Sequence, residues 1–200
     1  MRRRGATAAA CRGTAFLLWF AALAAMPALA AQPSEVIHRL GFPEVRLQYV
    51  QVEAELPAAG PVTEVLLPTW TPGSYQRHAY DADIDGLQAF APNGERREVR
   101  KVARDAWRID SAGLETIVVR YRVHADDLDV SRSWVSPDWI LLNGATVFLY
   151  TAESRGLPQR LAVAPPPGLD RVMTPLAAAG EGAWRARDYD ELVDSPVVVA

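Results

Sequence analysis

Thr116-Ile-Val-Val-Arg-Tyr-Arg-Val-His124 sets Ile117, Val119, Tyr121 and Val123 at every second position, with Arg120, Arg122 and His124 between them. Side chains of an extended strand alternate between two faces, so this stretch is a half-buried antiparallel strand. Upstream, Val45-Arg-Leu-Gln-Tyr-Val-Gln-Val-Glu-Ala-Glu-Leu56 alternates in the same way. Its phase shifts between Tyr49 and Val50, which predicts a β-bulge. The same period of two predicts further short strands over 62–67, 84–91, 106–109, 139–142, 146–150, 159–163 and 182–187. Asn93-Gly94 and Asn143-Gly144 each sit between apolar or alternating segments and read as hairpin turns. No window of helical length carries an uninterrupted apolar stripe. Many short strands, 15 prolines and closely spaced turn signals predict an all-β fold, an antiparallel sandwich or a saddle-like two-sheet domain. Pro165-Pro166-Pro167-Gly168 reads as a loop within that domain, since strand-like sequence resumes on both sides.

Residues 1–30 stand apart. Arg2, Arg3 and Arg4 precede an apolar run from Ala15 to Ala25, which leads to the small-x-small site Ala28-Leu29-Ala30. That is the layout of a cleaved secretory signal and predicts export to the periplasm or the medium. The run is shorter than the roughly 20 residues of a spanning helix and is followed by Pro27, so no stable membrane anchor is expected. Cys11 lies before the apolar run, not after it as lipid anchoring would need. Residues 31–200 are long enough for one domain with a real core, and they contain no cysteine, so packing alone must hold it together. Four of the 21 basic residues lie in the signal, which leaves 17 against 24 acidic ones. An acidic chain is a poor partner for nucleic acid, where affinity comes mainly from neutralising phosphates.

Candidate chemistry is sparse. Asp81-Ala-Asp-Ile-Asp-Gly86 begins like a calcium loop, but its twelfth position is Pro92 where a bidentate glutamate is required, so an acidic strand edge is expected. His124 with Asp126, Asp127 and Asp129 lies on a strand end and loop where neighbouring side chains diverge, which predicts a solvated polar loop instead of a metal site. His38 and His78 have no sequence neighbours that suggest a relay. Gly73-Ser74-Tyr75 lacks the second glycine of a nucleophile elbow. Trp134 and Trp139 flank Ser136-Pro137-Asp138 and read as core or interface aromatics in preference to a ligand platform. Pro68-Thr-Trp-Thr-Pro-Gly-Ser-Tyr75 admits two readings: a tight turn with Trp70 and Tyr75 packed beneath it, or a loop aimed at a binding cleft.

Four stretches in order carry a resemblance: Leu67-Pro-Thr-Trp-Thr-Pro-Gly-Ser-Tyr75; Val119-Arg-Tyr-Arg-Val-His-Ala125 with Val130 and Arg132; Leu142-Asn-Gly-Ala145 with Val147-Phe-Leu-Tyr150; and Asp188-Tyr-Asp-Glu-Leu-Val-Asp-Ser-Pro196. Together they resemble the N-terminal domain of the glycyl aminopeptidase family of zinc metallopeptidases. Two positions depart from the family pattern, His78-Ala79 where an Arg-Glu pair is usual and Ser131 between Val130 and Arg132. The resemblance implies a non-catalytic, β-rich module that packs on a metallopeptidase catalytic domain, in cis or in trans, and shapes its cleft for a peptide substrate. It puts Trp70, Thr71, Gly73, Ser74, Tyr75 and Asp194 on the substrate-cleft side. Zinc is implied for the catalytic domain alone, on a His-Glu-x-x-His helix. Here the only histidines are His38, His78 and His124, and none opens that motif, so no metal and no catalytic residue is expected in this chain. The apolar run 197–200 predicts that the chain is a fragment of a longer parent. Such a module would expose an apolar docking surface, whereas the alternative, a free-standing periplasmic β-sandwich binding or adaptor protein, would be a well-behaved monomer.

Overall fold

The computed structural model describes residues 34–71, 73–74 and 76–200. The expected signal segment, with Cys11, and Tyr75 lie outside the described residues. In chain order the strands are β1 (Val36–Gly41), β2 (Tyr49–Pro57), β3 (Val62–Leu66), β4 (Ile84–Phe90), β5 (Arg96–Arg97), β6 (Val99–Ala103), β7 (Ala106–Asp110), β8 (Thr116–His124), β9 (Trp134–Val135), β10 (Ile140–Leu142), β11 (Gln159–Ala164), β12 (Val172–Met173), β13 (Ala177–Ala178), β14 (Ala183–Ala186) and β15 (Val197–Val199). Two short helices, α1 (Gly144–Val147) and α2 (Tyr189–Val193), complete it. The fold is all-β, as the alternation predicts.

Three sheets form. The largest has eight strands in the order β13-β14-β11-β1-β2-β8-β4-β5, a second has four, β12-β15-β10-β9, and a third has three, β3-β7-β6. The β2 and β8 strands are the backbone of the first: Val50 faces Val123, Val52 faces Tyr121, Ala54 faces Val119 and Leu56 faces Ile117. All eight of these residues are buried, so both alternating runs point the same face inward. One pair departs from the antiparallel expectation, because β1 runs parallel to β11, with Val36 opposite Gln159. One hydrophobic core joins the three sheets, Leu56 and Ile117 from the first, Ile140 and Val197 from the second, Val65 and Ile109 from the third.

Most expected strands appear within a residue of their predicted ends; three local readings are corrected. No bulge separates Tyr49 from Val50. Val45–Leu47 is instead a 3-10 turn, and Gln48 adopts a left-handed φ of 61° that swings the chain into β2. The 146–150 segment is no strand: α1 occupies its start, and its inner carbonyls bond to tyrosines. The Tyr121 hydroxyl donates to Val147 O at 2.7 Å and accepts from Leu149 N, while the Tyr189 hydroxyl donates to Phe148 O at 2.7 Å. Asn143-Gly144 is no hairpin either. The Asn143 side chain caps α1 by accepting from Ala145 N at 3.0 Å. Asn93-Gly94 does turn a hairpin, with Gly94 at φ 88° and Ala91 N–H bonded to Glu95 O.

His38, on the inward face of β1, is wholly enclosed, its ring edge-on to Phe148 at 5.0 Å. The Gln159 amide nitrogen donates to Ser154 O and Leu157 O, which leaves its oxygen to accept from His38 Nε2 at 3.0 Å. Burial drives the His38 pKa down to about 4 against an ordinary 6.5. The unfolded chain therefore takes up this proton first. Stability is insensitive to this group above pH 6.5 and falls between pH 6.5 and 4, by up to about 3 kcal/mol. Urea unfolding across that window should show a steeper loss for the native chain than for His38→Leu, and parallel curves would refute the assignment.

Candidate functional site

The segment after β3 cannot continue a ladder, since Pro68 has no N–H to donate. Leu66 still bridges to Tyr150, and Leu67 is buried, but from Pro68 the chain lifts into a loop. Ser74 N–H bonds back to Thr71 O at 2.9 Å, and Gly73 takes φ 84°, a backbone that favours glycine. His78 N–H returns to Thr69 O at 2.8 Å and closes the wider loop. Inside it the Trp70 indole N–H donates to Ser74 O, and Ser74 Oγ meets His78 Nε2 at 3.2 Å. Trp70 remains 48% exposed, so it is not packed beneath the turn as one sequence reading expected.

Tyr80 moors this loop to the fold. Its ring is buried, stacks on His78 at 5.1 Å, and lies 5.5 Å from the Arg132 guanidinium. Its hydroxyl meets Thr71 Oγ1 at 2.6 Å. Arg132 in turn donates to Asp83 Oδ2 at 2.7 Å. Burial raises the Asp83 pKa, with the Arg132 charge opposing it, and burial likewise raises that of Tyr80. Beside them Asp129 accepts from the backbone N–H and then the hydroxyl of Ser131, which hold its carboxyl below the usual range.

The second signature approaches from the other end of the chain. Asp188 caps α2 by accepting from Glu191 N at 2.8 Å, and Glu191 reaches back to Arg187 N–H at 2.6 Å. Tyr189 and Leu192 are buried. Asp190 is exposed and pairs with Arg155, and at the end of α2 lie half-buried Val193 and exposed Asp194. Thr71, Asp129, Arg132, Leu141, Val193 and Asp194 line a groove of about 310 Å³. Trp70, Tyr150, Arg155, Tyr189 and Asp194 line a second, of about 430 Å³. Asp194 is common to both, and its carboxylate has no hydrogen bond or ion pair among the described residues.

Of the expected cleft residues, the structure brings Trp70, Thr71 and Asp194 together. Gly73 and Ser74 shape the loop and line neither groove. Tyr80, Arg132 and Val193 were not singled out by residue chemistry, and Asp83 only as part of the calcium-like stretch; Arg132 and Val193 fall within the resembling stretches, whereas Tyr80 left no local signal. The calcium-like aspartates diverge to three different cations, Asp81 to Lys101, Asp83 to Arg132 and Asp85 to Arg122. His124 approaches Asp126 at 3.7 Å, while Asp127 turns toward Arg132. Among the described residues no three His, Cys, Asp or Glu side chains are grouped as zinc coordination would require. Among the same residues His78 pairs with no carboxylate, and Ser74 Oγ also accepts from Gln76 N within its own loop. The grooves offer shape, an aromatic surface and charge, the means of binding and orienting.

Gly144 shows why α1 starts where it does. A Cβ there would lie 2.7 Å from Val193 Cα and O, so only glycine lets α1 and α2 close on one another. Gly144→Ala should cost about 1–3 kcal/mol in urea unfolding, an overpacking penalty. Tyr80→Phe removes the bond to Thr71 and should cost about 1 kcal/mol while raising the mobility of Trp70, read as lower fluorescence anisotropy. An unchanged anisotropy would mean that Tyr80 does not hold the loop.

Residues 38–200 match the family described as Peptidase M61 N-terminal domain. Among solved structures, an aminopeptidase N family protein from Idiomarina loihiensis superposes with a TM-score of 0.76 at 24% identity, over 82% of this chain and 29% of that one. A mutant M1 zinc metallopeptidase from Deinococcus radiodurans bound to Tyr-Ser-Ala aligns at a TM-score of 0.48 and 10% identity, over 84% of this chain and 41% of that one. Aminopeptidase A from Legionella pneumophila, in complex with aspartic acid, aligns at 0.45 and 9%, over 83% and 21%. No curated protein matches. The chain thus spans well under half of each of these solved proteins. With the family region running from His38 to the last residue, this chain belongs to the Peptidase M61 N-terminal domain family.

Proposed function

We propose that this chain is the non-catalytic N-terminal module of an exported zinc aminopeptidase of the M61 type, packing on the catalytic domain in cis or in trans and forming part of its cleft wall. The observation that carries the reading is the convergence of the two most specific sequence signatures. The Trp-Thr-Pro-Gly-Ser loop and the Asp-Tyr-x-x-Leu-x-Asp-Ser-Pro turn, at opposite ends of the domain, meet at two adjoining grooves that share Asp194. Most residues of each signature serve structure, by capping, burying or turning. Apart from the exposed Asp190, which pairs with Arg155, this leaves Trp70, Thr71 and Asp194 on the groove walls.

Those three supply what a cleft wall needs. The exposed indole of Trp70 gives apolar area against a peptide at low entropic cost. The Asp194 carboxylate, without a cation of its own among the described residues, is available to a positively charged group of that peptide. Zinc, with its power to activate water, belongs in this reading to the catalytic domain, and the residues here position substrate and exclude solvent. Residues 1–30 direct export to the periplasm or the medium.

In the full-length enzyme, Asp194→Ala and Trp70→Ala should each lower kcat/KM on short peptides about tenfold, a loss of about 1.4 kcal/mol in transition-state binding, with zinc content and Tm unaltered. Unaltered kcat/KM in both variants would sink the cleft-wall role. Zinc-dependent turnover by the 200-residue chain on its own would overturn the non-catalytic reading.

A further inference from the structure

The groove of about 430 Å³ that joins Asp194 to the Trp70 loop combines aromatic walls with charge. Its volume lies within the roughly 300–1,000 Å³ of pockets that bury small ligands. Trp70, Tyr150 and Tyr189 line it. The Trp70 indole N–H is spent on Ser74 O and the Tyr189 hydroxyl on Phe148 O, so these two rings offer the groove carbon and π surface. Tyr150 lies against Tyr189, their ring centroids 4.7 Å apart. Arg155 occupies the same wall, 5.8 Å from the Tyr150 ring centroid, and donates to Asp190 Oδ1 at 2.9 Å. A guanidinium held by an aromatic face and a carboxylate is thus already part of this surface. Across the two grooves the cations are engaged, Arg132 with Asp83 at 2.7 Å and Arg155 with Asp190. Among the described residues Asp129 accepts from Ser131 alone, and the Asp194 carboxylate has neither hydrogen bond nor ion pair.

We propose that this groove takes the cationic side chain of a peptide, arginine ahead of lysine, with the Asp194 carboxylate as its counter-charge. The inference rests on the cleft-wall reading and names the substrate class that the wall selects. An apolar side chain here would strip water from Asp194 without supplying a partner, which costs free energy. An acidic one would meet a carboxylate of its own sign, with Arg155 already engaged by Asp190. A cation satisfies both features at once, the charge of Asp194 and the π surface of Trp70, the ring type that attracts cations most strongly. Arginine leads because its guanidinium is planar, weakly hydrated and stacks on aromatic faces, whereas the lysine ammonium is a compact and strongly hydrated charge. Trp70 is exposed yet tethered through its own N–H, so its ring is presented with little left to order on binding.

The test uses the full-length enzyme and two peptide series, Xaa-Gly-Gly and Gly-Xaa-Gly, in which Xaa is arginine, lysine, citrulline, leucine or glutamate. Citrulline keeps the length and planarity of arginine and removes its charge. In at least one series kcat/KM for arginine should exceed that for citrulline about tenfold, the size of one ion pair and one cation–π contact at a partly exposed site. Glutamate should rank lowest, and the arginine advantage should shrink at high salt. Asp194→Asn should bring the arginine-to-citrulline ratio close to one, and Trp70→Leu should lower it about threefold. Asp194→Lys should reverse the order of arginine and glutamate. Equal kcat/KM for arginine and citrulline in both series would overturn the proposal, as would a preference that Asp194→Asn leaves intact. The two readings part on the variants. A loss in Asp194→Asn that is the same for every peptide would put the carboxylate on the shared α-amino group, keeping the cleft wall and removing the side-chain selection. Unaltered kinetics on every peptide in both Asp194→Asn and Trp70→Leu would remove the cleft wall, and this inference with it.

Discussion

A buried backbone must find hydrogen-bond partners, and the stretch 147–149 runs through the middle of this protein with no strand beside it. Two tyrosines meet that demand. The Tyr121 hydroxyl takes Val147 O and Leu149 N, and the Tyr189 hydroxyl takes Phe148 O. The segment they secure ties the sheets together: Phe148 lies against His38 on the largest sheet, Tyr150 bridges to Leu66 on the smallest, and α1 follows directly from β10 of the four-stranded sheet. Removing either hydroxyl would leave a buried carbonyl unpaired where the sheets meet; both tyrosines are buried, and that burial pushes their phenol pKa values up.

The same junction positions the candidate site. Tyr189 belongs to α2, and α2 must lie close to α1 for its hydroxyl to reach Phe148. That approach is open only because residue 144 has no side chain. It fixes Val193 and Asp194 opposite the loop that Tyr80 moors from the other side. The grooves are therefore set by the core, and the loop on their rim is held by specific bonds to Thr71 and Thr69. A site on a scaffold of this kind keeps its shape before any ligand arrives, which limits what binding must spend on ordering.

The two outer sheet faces differ in kind. On the largest sheet, Arg39, Glu53, Glu55 and Arg120 form a network, and Arg122 joins Glu44 and Asp85 beside it. Exposed pairs like these contribute little stability, roughly 0–1 kcal/mol each, yet they keep that face wet. On the four-stranded sheet the corresponding positions, Trp134, Leu141, Val198 and Met173, are uncharged and apolar. One outer face is charged and the other apolar, a division that composition, averaged over the chain, conceals.

Alternation, with the prolines and turn signals, determined the all-β class, and alternation determined the strand Thr116–His124, the body of the strand that runs to Pro57, and the inward faces of both, because a period of two leaves each side chain a single choice of face. The family resemblance was legible as well, since the Trp70 loop and the Asp188 turn keep residue types that local geometry demands: a glycine at positive φ and an aspartate that caps a helix. What tertiary structure decided lay where local and long-range demands compete. Residues 146–150 have strand-forming composition and form none, for their backbone is paired by tyrosines remote in sequence. Asn143-Gly144 has the chemistry of a hairpin and serves a cap and a close helix contact. Val45–Leu47 alternates and turns instead, as the chain reverses between β1 and β2. The meeting of Thr71 with Asp194, and of Tyr80 with Arg132, is a product of sheet packing between distant segments, for which a linear pattern holds no record.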